Sequence, residues 1–107
     1  MAELHIKSLT CVNRQDTATR DDAVLQVGGN TISGPHDMSG NETVNLNVRR
    51  AFTGLVSVTL VELDHATADD FLGTVDISDG LVGQGDQTGR FHAAPHADYH
   101  MVYDVHA

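Results

Sequence analysis

The chain has 107 residues and a net charge of −9 with its histidines neutral, from 15 Asp and Glu against 6 Lys and Arg. That length makes residues 1–107 one domain with a modest core. Without clustered Lys or Arg there is no surface for a phosphate backbone, which excludes nucleic acid as a partner.

No amphipathic helix is visible, and the candidate elements are all strands. The first, Leu4–Val12, contains the one cysteine, Cys11. Cys11 therefore forms no intrachain disulfide and reads as a small buried hydrophobe. Next come Ala23–Val27 and Thr31–Ser33, joined by "VGGNT", a hairpin signal because glycine tolerates the positive φ of tight turns. The stretch "SGPHDMSGNE" reads as a turn-rich loop. In Thr43–Val48, Val44, Leu46 and Val48 share one face and Asn45 and Asn47 the other, the period of a half-buried strand. Leu55–Leu63 and Phe71–Ile77 follow, then a second loop, "SDGLVGQGDQTG", then Thr88–Ala93 and Asp98–His106. The last strand alternates Tyr99, Met101, Tyr103 and Val105. Eight short strands spaced in this way predict an all-β sandwich or barrel.

The opening "MAELHIKSLT" lacks the apolar core of a signal peptide, and no apolar run approaches the roughly 20 residues of a membrane helix. The expected location is cytoplasmic or peripheral to a membrane, with secretion by another route or excision from a longer protein as alternatives.

Two connections are acidic. "QDTATRDDAVLQV" places Asp16, Asp21 and Asp22 after the first strand, and "VELDHATADDFLG" places Glu62, Asp64, Asp69 and Asp70 between the fifth and sixth. Like charges this close repel unless something neutralises them. Calcium would, since it takes six to eight oxygen ligands from carboxylates, carbonyls and water. Solvated turn acids are the plain alternative. The loops lack the central glycine and flanking helices of an EF-hand. No Ser/His/Asp or Cys/His arrangement and no phosphate-binding glycine loop is present, so an enzyme is not expected. His92, His96, His100 and His106 crowd the C-terminal region. Two strand residues four apart lie about 13 Å apart, too far to chelate together, so these read as surface histidines.

The internal spacings are specific. Asp16 and Asp22 are six apart, and the second leads straight into "DAVLQV". "ELD", "HATAD" and "DFLG" then set Glu62, Asp64, Asp70, Phe71 and Gly73 in order. Together the two loops resemble those of C2 (C-two) domains, calcium-dependent phospholipid-binding β-sandwiches. The resemblance fills all five of that family's carboxylate positions. It departs at Glu62, where Asp is usual, and at Ala23 and Val24, which replace Pro and Tyr. It implies an antiparallel eight-stranded Greek-key sandwich in the circularly permuted topology, in which the final strand takes the place of the usual first. It also implies calcium as the cofactor. Asp22 and Asp64 would be central ligands, completed by Asp16, Glu62 and Asp70 and by the carbonyls of Gln15 and Leu63. Asp21 and Asp69 read as solvated flanking acids, and Phe71 as core beneath the loop. Anionic phospholipid is the partner the family implies. The loop tips, Thr17-Ala18-Thr19-Arg20 and His65-Ala66-Thr67-Ala68, offer one Arg and no bulky hydrophobe. A calcium-stabilised structural module, or one that binds protein or sugar, therefore stands as the alternative.

Overall fold

Leu4, Ile6, Leu9 and Cys11 are all buried on one side of a single strand, although the step from Ile6 to Leu9 breaks the two-residue period. The computed structural model, which describes residues 1–14, 20–63, 69–94 and 96–107, shows how. The register of this strand, β1 (Ala2–Asn13), shifts at Lys7 against both of its neighbours. The irregularity returns Leu9 to the interior, where an unbroken strand would have turned it outward.

Seven further strands follow: β2 (Asp21–Val27), β3 (Asn30–Met38), β4 (Glu42–Phe52), β5 (Leu55–Glu62), β6 (Asp70–Ser78), β7 (Gln87–Phe91) and β8 (Asp98–His106). They form two antiparallel four-stranded sheets, in the orders β4-β1-β8-β7 and β3-β2-β5-β6. The expected eight-stranded sandwich is thus the observed fold, with β8 lying between β1 and β7. Among the described residues no helix is long and apolar enough to cross a membrane.

The core is the row of inward side chains from both sheets. Leu4 pairs with Val105, Ile6 with Tyr103, Leu9 with Met101 and Cys11 with Tyr99, and all are buried. Leu25, Val58, Leu60, Leu72 and Ile77 face them from the second sheet. Each large apolar side chain so buried contributes about 1.5–3 kcal/mol. Val44, Leu46 and Val48 pack half-buried against this core, as their alternation predicts.

The β2–β3 hairpin turns on Gly28 (φ 60°) and Gly29 (φ 80°), confirming the reading of "VGGNT". One expectation fails. "SGPHDMSGNE" is not a loop from Ser33, because β3 continues to Met38. Gly34 and Pro35 form a bulge there: Ala23 pairs with His36 and Leu25 with Ser33, so β3 carries one extra residue. Since β3 is an edge strand, Pro35 breaks no ladder. On the opposite edges, β6 and β7 approach closely. A Cβ on Gly73 would lie 3.1 Å from the Phe91 backbone, and one on Gly89 2.8 Å from a Val75 methyl.

Candidate metal centre

Strand pairing decides which acids meet. Ala23 of β2 pairs with Glu62 of β5, and Glu62 pairs with Asp70 of β6. The Leu63 amide donates to the Asp22 carbonyl at 2.9 Å. Asp22, Glu62 and Asp70 therefore sit at the same end of three adjacent strands, with Leu63 just beyond β5, but among the described residues their carboxylates do not by themselves close into a ligand group. β2 begins, β5 ends and β6 begins at that end, so the described residues flanking the two acidic connections are neighbours in space though distant in sequence. Gln15, Asp16 and Asp64 lie outside the described residues. Asp22 and Asp70 are half-buried, and Glu62 is buried at the end of the inward-facing row of β5. The described donors are all oxygens, as a hard divalent cation requires.

Beneath this cluster lies a polar contact that the sequence did not disclose. Asp21 is not a solvated flanking acid but is fully buried, because alternation along β2 puts it on the same face as Ala23 and Leu25. The Tyr99 hydroxyl of β8 donates to Asp21 Oδ2 at 2.6 Å, tying the two sheets together below the loops. Burial, and then the hydrogen bond to Asp21, push the Tyr99 phenol well above its ordinary range. Asp69 is exposed.

Two neighbouring side chains also depart from expectation. Phe71 is 54% exposed, not core. It pairs with Val61 on the outer face, and Leu72, one residue on, takes the inward position. Arg20 is drawn to the β3–β4 side, with Nε donating to Asp37 Oδ1 at 2.8 Å and Nη2 paired with Glu42. The Asp37 hydrogen bond holds its guanidinium above the ordinary value. His92 and His96 are exposed, and His100 is half-buried on β8 with its Nε2 3.5 Å from Asp98.

No family model matches this sequence, and no curated protein matches it. Its fold does match solved structures. A C2 domain superposes with a TM-score of 0.66 at 12% identity, over the whole of both chains. Calcium-bound extended-synaptotagmin 2, a chain with paired C2 domains, gives 0.55 at 18% identity, over 97% of this chain and 44% of that one. Human GIVD cytosolic phospholipase A2 gives 0.58 at 15% identity, over 98% of this chain and 16% of that one. The chain thus spans 44% and 16% of those two longer chains. By its strand order and by these likenesses, the chain has the fold of a C2 domain.

Proposed function

We propose that residues 1–107 form one calcium-binding module, with one or two ions held between the β1–β2 and β5–β6 connections. What supports the reading is the register that puts Asp22, Glu62 and Asp70 at one end of three adjacent strands. Asp22 and Asp64 are the proposed central ligands. Asp16, Glu62 and Asp70 complete the set, with neutral oxygens from the Gln15 and Leu63 carbonyls. The solved neighbour described as calcium-bound supports the same chemistry. Calorimetric titration of calcium into chelator-treated protein tests it. Saturable binding that Asp70→Asn weakens is expected, and no binding at millimolar calcium would overturn it.

Anionic phospholipid is the proposed partner, with calcium bridging the carboxylates to headgroup phosphates. The exposed Phe71 beside Asp70 favours this, since it offers the bulky apolar contact that the loop tips lack. A second reading, a calcium-stabilised structural or protein- or sugar-binding module, is favoured by charge. Two calcium ions offset only four units of the net charge of −9, and the remainder repels an anionic surface. Sedimentation with phosphatidylserine vesicles separates the two. Calcium-dependent pelleting that Phe71→Ala reduces supports the membrane reading, whereas calcium binding without pelleting selects the second.

A further inference from the structure

At the far end of the sandwich from the acidic loops, the outer face of the first sheet gathers another set of ligands. His5 of β1 pairs directly with Asp104 of β8, and His106 lies two residues on from Asp104, on the same face. Asp104 Oδ1 is 3.6 Å from His5 Nδ1 and 3.0 Å from His106 Nε2. One ligand atom from each residue lies within 4.8 Å of the other two. In a tetrahedral site, donors about 2.1 Å from zinc stand about 3.4 Å from one another. The group therefore needs only a small contraction to close on an ion.

Three further observations point the same way. Asp104 Oδ1 is buried and makes no hydrogen bond, although His106 Nε2 lies 3.0 Å away. Lys7 sits on the other oxygen, with Nζ 3.5 Å from Oδ2, and is itself held by Asp86 at 2.6 Å. Oδ1 is thus a shielded acceptor aimed between two imidazoles. His5 Nε2 lies 2.9 Å from Asn47 Oδ1 of β4. With an amide oxygen there as acceptor, Nε2 carries the hydrogen and Nδ1 turns its lone pair to the carboxylate. That is how a metal-binding histidine is oriented by its outer partner. The surrounding charge is favourable to a cation: Asp104, Asp86 and Glu3 stand against Lys7 and Arg49, the latter paired with Glu3.

We propose that His5, Asp104 and His106 form a site for a zinc-class divalent cation, distinct from the acidic loops. Two imidazoles and one carboxylate suit borderline metals, whereas calcium prefers an all-oxygen set. The half-exposed His106 leaves the remaining coordination position open to solvent. Counting along β1 from His5 to Asn13, the site lies on the order of 25 Å from the acidic end. Binding at one end therefore does not depend on the proposal for the other.

The test is calorimetric titration of zinc chloride into chelator-treated protein of residues 1–107 held in saturating calcium. Binding of about one equivalent is expected. His106→Ala should weaken it at least about tenfold, as should Asn47→Ala through the lost outer partner. His96→Ala should leave it unchanged. His106 is half exposed, so its removal spares the core, and an unchanged thermal midpoint without metal would verify this. Cobalt(II) in place of zinc should show a visible d–d band that His106→Ala abolishes. Absence of zinc binding at millimolar concentration, or equal affinity in wild type and His106→Ala, would overturn the proposal.

Discussion

Tyr99 spans the interior from β8 to Asp21 of β2, and its hydroxyl gives the buried carboxylate a short hydrogen bond. A hydrogen bond to a charged group contributes about 1.5–3 kcal/mol. Tyr99→Phe keeps the ring and removes only that donor. Urea unfolding should therefore show a loss of about 2 kcal/mol, with the m-value unchanged if the denatured state is unaltered. Arg90 and Asp98 act on the surface. Two parallel hydrogen bonds, at 2.9 and 3.1 Å, join the guanidinium to the carboxylate. The Arg90 hydrogen bond holds the Asp98 carboxyl below its ordinary value, against the opposing effect of burial. A depressed folded-state pKa means that the pair's contribution is full above the unfolded carboxylate range. It is lost as pH falls through the folded value. Arg90→Gln should thus lower the urea midpoint at neutral pH, and the difference from wild type should vanish in strong acid. The effect is small, because the Arg90 side chain is open to screening solvent. Neither Tyr99–Asp21 nor His5–Asp104–His106 was legible in the sequence. Each joins strands from distant parts of the chain, and only the register of β8 shows which side chains face each other.

Elements were legible where one period ruled and obscure where a bulge broke it. The alternation in β4 and β8 gave their faces directly, and "VGGNT" gave the hairpin. In β3, Gly34 and Pro35 imitate a loop, because turn chemistry and bulge chemistry use the same residues. The step between Leu60 and Val61, where the β5–β6 register shifts, moves Phe71 outward and so defeats the expectation that it is core. Of the acidic residues, Asp22, Glu62 and Asp70 fall at the ends of β2, β5 and β6, while Asp16 and Asp64 lie outside the described residues. The contact of β6 with β7 offers a test of element packing. Gly89 faces the Val75 methyls so closely that an added Cβ would overlap them. Gly89→Ala should cost about 1–3 kcal/mol through overpacking. Combined with Val75→Ala, it should cost less than the sum of the two single changes, by about 0.5 kcal/mol or more in a double-mutant cycle. Strict additivity would mean that the edges do not meet as described.

At the scale of the whole molecule, the proposed calcium binding would set the response to conditions. At calcium a hundredfold above its dissociation constant, binding to the folded state alone adds about 2.7 kcal/mol. For a domain of this size that should raise the thermal midpoint by on the order of 10 °C. Magnesium should raise it much less, since it gives up its water reluctantly and demands strict octahedral geometry. Equal midpoints in chelator and in millimolar calcium would refute the calcium reading. The strand order carries a consequence of another kind, in time rather than in space. β8 is the last strand of the sheet to be made, yet it is the central partner of the first, with Leu4 against Val105 and Cys11 against Tyr99. During synthesis β1 must wait for nearly the whole of this sequence before its second neighbour exists. Until then its apolar row and one edge are open to wrong partners. The sheet closes only on the longest-range contacts in the sequence, the kind that make folding slow. Completion of the first sheet, and with it of the Tyr99–Asp21 tie and the His5–Asp104–His106 cluster, is therefore one late event set by the arrival of β8.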